Sequence, residues 1–229
     1  MIHNNSIRKF LLINVLILCL VSLANAQAFF KAEVIAGGNL SQVDGDETAG
    51  FHKLGFNTGL GVVLPIHKNW SLSFETLYSQ KGSRLAKQYP DDPDGSYKLR
   101  LNYAEVPLMV MYTDREFMSF GLGASWGRLV QIEEFKNSSR VDSVTLLGGP
   151  FSRNDFELLG DVRFRLYKNF KFNLRYSYTL DKIATRNIRD SQSGMMNIRD
   201  FYNNCWSLRL IYMLNESPPD KKSKNVLPK

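Results

Sequence analysis

The stretch LGFNTGLGVVLPIHKNWSLSFETLYSQK, Leu54 to Lys81, decides how the chain is read. In its first half Leu54, Phe56, Leu60, Val62 and Leu64 share one parity, and Gly55, Asn57, Gly59 and Gly61 share the other. After the break at Pro65 to Asn69, Trp70, Leu72, Phe74 and Tyr78 alternate with Ser71, Ser73, Glu75, Ser79 and Lys81. Period-two alternation on both sides of a short turn predicts an antiparallel hairpin with one apolar and one polar face. Each half spans about eleven or twelve residues, twice the usual globular strand of about five or six. A tilted strand crosses a bilayer in about nine to eleven residues.

Six further stretches repeat the pattern: Phe29 to Gly38, Leu101 to Tyr112, Phe117 to about Gln131, Asp155 to Tyr167, Phe170 to Leu180 and Tyr202 to Leu214. Pro107 lies inside the second of these. It cannot donate to a ladder, so a bulge is expected there. The connections alternate in length. Those at Pro65 to Asn69, Thr113 to Glu116 and Lys168 to Asn169 are short, whereas Asn39 to Lys53, Gly82 to Arg100, Ile132 to Asn154 and Asp181 to Phe201 are long. Eight such strands predict an all-β, eight-stranded, antiparallel up-and-down transmembrane β-barrel over 27–214. The alternation places the short turns and both termini in the periplasm and the long loops outside the cell, in an outer membrane.

Either parity could face inward, because soluble barrels also alternate. Aromatic residues recur near the ends of the apolar faces, at Trp70, Tyr112, Trp126, Phe170, Tyr178, Trp206 and Tyr212, as lipid–water girdles do. The polar faces carry the acids Glu33, Glu75, Glu105, Asp155, Glu157 and Asp161 and the bases Lys31, Lys81, Arg163, Arg165, Lys171, Arg175 and Arg209. Near balance suits a narrow lumen in which every charge needs a partner, so these residues are expected to form a structural charge network there. The small residues of the second and fifth strands are expected to make room for the arginines.

The ends of the chain differ from this core. Arg8 and Lys9 precede an apolar run, Phe10 to Leu23, and then Ala24-Asn25-Ala26. This predicts a secretory signal over 1–26. Its removal lowers the formal charge from +7 to +5 and leaves Cys205 without a disulfide partner. The stretch 215–229, rich in proline and lysine, is read as a disordered basic periplasmic tail.

Chemistry has little to build on. His52 and His67 lack the neighbours of a catalytic triad, and Asp44, Asp46 and Asp91 to Asp94 lack the spacing of a calcium loop. No enzyme activity, cofactor, metal or nucleic-acid partner is expected.

Against this background the opening AGGNLSQVDGD, the glycines Gly55, Gly59 and Gly61, the segment WSLSFETLYSQKGS and the strand LNYAEVPLMVMY resemble the PorT-like family of Bacteroidota outer-membrane barrels. The resemblance implies a small porin-like barrel, with some relatives serving type IX protein secretion. Three functions stay open. One is a structural or accessory barrel acting through partner contacts, in secretion or outer-membrane assembly. The second is a surface binding or adhesion module using the long loops. The third is a narrow channel, disfavoured because eight strands leave a lumen that side chains fill. The expected partners are outer-membrane lipid and a protein of the outer membrane or periplasm.

Overall fold

The computed structural model describes residues 30–46, 48, 50–85, 96–115, 117–189 and 195–216. The stretches read as a signal, as the Asp91 loop and as most of the tail lie outside them. Ten strands run in chain order: β1 (Lys31–Asp44), β2 (Lys53–His67), β3 (Trp70–Leu85), β4 (Tyr97–Asp114), β5 (Met118–Lys136), β6 (Ser139–Arg140), β7 (Asn154–Tyr167), β8 (Phe170–Thr179), β9 (Ala184–Arg189) and β10 (Met196–Met213). Eight of them form a closed antiparallel ring, β1-β2-β3-β4-β5-β7-β8-β10, which β10 completes by pairing back to β1 from Glu33↔Met213 to Asp44↔Tyr202. Closure leaves this ring without an edge, so each strand's backbone groups pair on both sides.

The side chains divide by parity. On β2, Leu54, Phe56 and Leu60 are more than 60% exposed on the outer face, while Glu75 and Ser73 of the adjacent β3 are fully buried inside. An apolar exterior around a polar interior inverts a soluble protein and needs an apolar solvent. The exterior has the height of a bilayer core. On β10, Tyr212 and Tyr202 lie ten residues apart, about 33 Å along the strand and about 25 Å after tilting. Aromatic pairs mark the short-turn end, with ring centroids 5.1 Å apart for Trp70 and Tyr112 and 4.9 Å for Phe170 and Tyr212.

The strands outrun their sequence-based bounds at the long-loop end. β4 begins at Tyr97, β5 reaches Lys136, and β9 pairs with the first residues of β10, from Met196↔Arg189 to Phe201↔Ala184. Much of the expected loop is therefore sheet. Val43, Leu99, Leu101, Leu129, Ile132, Val144, Phe151, Ile183 and Phe201 form a small apolar core there, over the end of the lumen. At the other end the fold holds on to Asn215 and Glu216, two residues assigned to the tail.

The bulge expected at Pro107 lies elsewhere. Pro107 pairs in register with Ser125, and the register to β5 shifts between Asn102 and Tyr103, where Val130 is skipped. The missing N–H is accommodated on the β3 side. There the pairing breaks between Phe74↔Leu108 and Leu77↔Glu105 and resumes in the same register.

The inward glycines serve the neighbouring backbone more than the arginines. A Cβ at Gly59 would run into the Thr76 carbonyl oxygen and one at Gly123 into that of Leu108, while Gly37 alone packs against Arg209. On the outer face, Gly160 has nothing within 4 Å of a built Cβ. Gly123→Val is therefore expected to lower the folded fraction, at a cost of about 1–3 kcal/mol or more, whereas Gly160→Ala leaves it unchanged. Heat-modifiable migration of the refolded barrels on gels checks this, and equal behaviour of the two variants would contradict it.

Candidate functional site

The lumen is filled in layers. Next to the short turns, Lys31, Arg165 and Lys171 converge on a single carboxylate oxygen, Glu216 Oε1, at 3.1, 2.9 and 3.1 Å. Asn215, with a left-handed φ of 58°, turns the chain after β10 so that Glu216 folds back into the mouth. Its side chain is only 4% exposed. Burial alone would raise the Glu216 carboxyl, but Lys171, Lys31 and Arg165 outweigh it and hold it below the usual carboxylate range.

One layer deeper, three acids face three arginines. Glu75 accepts four hydrogen bonds: from Arg163 Nη2 (2.8 Å), from Arg175 Nη2 and Nη1 (2.8 and 2.9 Å) and from Arg209 Nη1 (2.9 Å). Asp161 also accepts four, from Arg163 Nε (3.0 Å), Asn173 Nδ2 (2.7 Å), Arg175 Nε (2.8 Å) and Arg209 Nη2 (3.2 Å). Glu33 takes Arg163 Nη1 at 2.6 Å. Glu75 on β3 and Arg209 on β10 are fully buried, and Glu33 comes from β1, Asp161 and Arg163 from β7 and Arg175 from β8, so this layer ties five strands across the lumen.

Above it lies a neutral layer. Asn39 Nδ2 donates to Ser79 Oγ at 2.9 Å, Asn57 Nδ2 to Asn39 Oδ1 at 3.2 Å and Ser207 Oγ to the same oxygen at 2.8 Å. Cys205 is buried nearby, its Sγ 4.0 Å from Ser207 Oγ.

The last polar layer lies under the apolar core. Lys81 Nζ is 2.6 Å from Glu105 Oε1 and donates to both Glu157 oxygens at 2.6 Å. Asp155 accepts from Thr179 Oγ1 at 2.8 Å and Asn203 Nδ2 at 2.7 Å, and Asn203 also donates to the Tyr103 hydroxyl at 3.2 Å. All thirteen charged positions singled out in the sequence thus face the interior. They form three groups instead of one continuous network: Lys31, Arg165 and Lys171; Glu33, Glu75, Asp161, Arg163, Arg175 and Arg209; and Lys81, Glu105, Asp155 and Glu157.

Sequence reasoning missed the neutral partners. Asn39, Asn57, Asn173 and Tyr103 share the parity of the charges, which was the available signal; Glu216, beyond the last strand, carried none. His52 and His67 are exposed. Asp46 accepts from the Thr48 N–H (2.9 Å) and hydroxyl (2.6 Å), a local turn. Among the described residues, no cluster of His, Cys, Asp and Glu has the arrangement of a metal site.

Two outcomes follow from this geometry. Glu75→Gln leaves three buried guanidiniums short of charge and is expected to cost about 3–5 kcal/mol. Glu33→Gln, which disturbs one arginine, is expected to cost about 1–3 kcal/mol. Urea unfolding in lipid vesicles measures both, and equal losses would contradict the hub role of Glu75. Because the Glu216 carboxyl is lowered on folding, its contribution is full above the unfolded value of 4.5 and fades as pH falls through the depressed folded value. The stability difference between wild type and Glu216→Gln should accordingly be constant near neutrality and vanish in acid. A difference independent of pH would rule out the ionised contact.

Comparison with known proteins agrees with this architecture. Residues 25–185 match the family described as outer membrane protein beta-barrel domain. Among solved structures, the chain is similar to Ail, the attachment invasion locus protein of Yersinia pestis, at 16% identity and a TM-score of 0.46, covering 80% of this chain and 98% of that one. It is also similar to Neisserial surface protein A, at 14% identity and a TM-score of 0.45, covering 80% and 96%. A search of the curated proteins found no match. With most of its length matched and its eight strands closed into a ring, the chain belongs to the outer membrane protein beta-barrel domain family, whose barrels sit in outer-membrane lipid.

Proposed function

We propose that this barrel is a non-enzymatic structural or accessory component of the outer membrane that acts through partner contacts. The observation that carries this reading is the packed lumen. Its charges are paired across the barrel, the mouth is occupied by Glu216, and the far end is covered by the apolar core. A solute would have to break buried ion pairs, each costly to separate, so the working surfaces are those outside the lumen. On this reading residues 1–26 direct export. The short turns, both mature termini and the lysine-bearing tail face the periplasm, and the long-loop end faces outward. The partner on this reading belongs to protein secretion of the type IX kind or to outer-membrane assembly, a reading whose support is the PorT-like resemblance of the sequence.

A second reading, surface binding, is supported by one feature. The β9–β10 hairpin stands beyond the aromatic boundary and exposes Met196 and Ile198, at 63% and 76%, with Leu147 of the neighbouring loop at 89%. Apolar side chains there have no lipid to cover them, and such patches mark contact sites.

Affinity purification of the tagged protein from native outer membrane in mild detergent distinguishes the readings. A stoichiometric partner that persists when 184–200 is trimmed is expected for the accessory role. A partner lost on trimming would shift the function to the hairpin, and recovery of the barrel alone would remove support for the accessory role. In planar bilayers the barrel is expected to show no discrete conductance steps; steady ohmic steps would restore the channel.

A further inference from the structure

On the outer face of β3, β4 and β5, paired residues form successive rows beyond the apolar band. Tyr78, Ala104 and Arg128 make the first, and Gln80, Asn102 and Gln131 the second. Gly82, Arg100 and Glu133 make the third, and Arg84, Lys98 and Phe135 the fourth. Along β3 and β4 polarity changes abruptly here, from Tyr78 and Ala104 to the amides Gln80 and Asn102 and then to the bases Arg100, Arg84 and Lys98. The third row lies four residues above Tyr78, about 13 Å along the strand and about 10 Å in height. That is the head-group zone of a membrane whose hydrocarbon ends at Tyr78.

Among the described residues, these bases are poorly matched by protein. Arg84 and Lys98 are directly opposite each other across β3 and β4, an arrangement of like charges that destabilises a sheet. Lys98 rests over the Phe135 ring, 5.7 Å from its centroid. Arg100 pairs with Glu133 at 2.9 Å, yet its buried Nε has no hydrogen-bond acceptor. Behind them Lys53 is buried, donates to the Leu54 carbonyl oxygen at 2.6 Å and feels the charges of Arg100, Lys98 and Arg84. Among the described residues, three outer bases meet one carboxylate, beside a fourth, buried base.

We infer that Arg84, Lys98 and Arg100 form a binding site for the phosphate groups of anionic lipids in the leaflet at the long-loop end. An arginine fork takes two phosphate oxygens at once, and the lysine between the two arginines supplies a point charge. The lipid phosphate also relieves the repulsion between Arg84 and Lys98, which face each other across the two strands. The ligand is membrane lipid because the site faces sideways, directly above the apolar band, where head groups are at hand. The inference needs only that the barrel sits in lipid. It is independent of which leaflet the long loops face and of any protein partner.

The test uses the full mature chain in nanodiscs of equal phosphatidylglycerol and phosphatidylcholine, with lipids retained on release counted by native mass spectrometry. Each base near an anionic surface contributes roughly a fivefold preference. Wild type is expected to retain phosphatidylglycerol over phosphatidylcholine, and Arg84→Gln/Lys98→Gln/Arg100→Gln to lose at least tenfold of that preference. Heat-modifiable migration confirms that each variant is folded. An unchanged preference in the triple variant would overturn the inference. So would an equal loss in Lys68→Gln/Arg115→Gln/Lys168→Gln, which removes bases from the short turns. A preference seen only in Asp91→Asn/Asp92→Asn/Asp94→Asn would also overturn it, assigning the bases to the chain's own carboxylates.

Discussion

The structure depends on Glu75 and the three arginines that share it. A barrel of eight strands has an interior wide enough only for its own side chains, and its exterior is committed to apolar residues. Its polar residues therefore have to face inward, where water is scarce and a lone charge is costly. Glu75 meets that requirement by accepting from Arg163, Arg175 and Arg209 at once, on β7, β8 and β10, from its own position on β3. A contact across the lumen joins strands far apart around the ring. Hydrogen bonds along the wall join only neighbours. The backbone ladder thus fixes the circumference, and the Glu75 cluster fixes the cross-section.

Much of this was legible because the barrel has a simple code. Alternation at Leu54 to Leu64 and Trp70 to Lys81 identifies both faces of β2 and β3, and the balance of acids and bases on one parity assigns that parity to the interior. The code fails where its assumptions stop. Above the membrane boundary β4, β5 and β10 no longer have lipid on one side, so Lys98, Arg100 and Glu133 turn outward and Leu99, Leu101 and Ile132 turn inward. The pattern reverses and reads as loop. Pairing is also not a sequence property. Nothing at Asp155 says that Thr179 and Asn203 will satisfy it instead of Lys81. Pro107 misled for a related reason: a missing donor need not displace the register when the ladder can simply skip two pairs.

The two ends of the lumen are closed by different means. The long-loop end uses apolar packing, in which Phe151 and Phe201 meet edge to face at 6.4 Å above Tyr103. The short-turn end uses one carboxylate among three bases, in contact with solvent through Lys31, which is 37% exposed. Apolar packing is insensitive to pH and salt, whereas an ion cluster at a wet mouth is screened by salt and neutralised by acid. The more adjustable closure therefore lies at the short-turn end, beside the point where the chain continues into its lysine-bearing tail.

The distribution of charge along the axis accounts for the placement of the neutral polar residues. Counting Glu216, seven bases meet seven acids, yet the layers are not individually balanced. The mouth has two bases in excess, the Glu75 layer is even, and the layer beneath the apolar core has two carboxylates in excess. Lys81 and Glu75 lie six residues apart on β3, about 20 Å along the strand, so neither excess can be met by ion pairing with the other. At the mouth, water takes up the difference. Under the apolar core there is no such reservoir, and the surplus carboxylates have to be carried by hydrogen bonds from uncharged donors. Thr179 and Asn203 on Asp155, and Ser177 on Glu157 at 3.3 Å, supply them. In this layer neutral donors stand in where cations run out and solvent cannot reach.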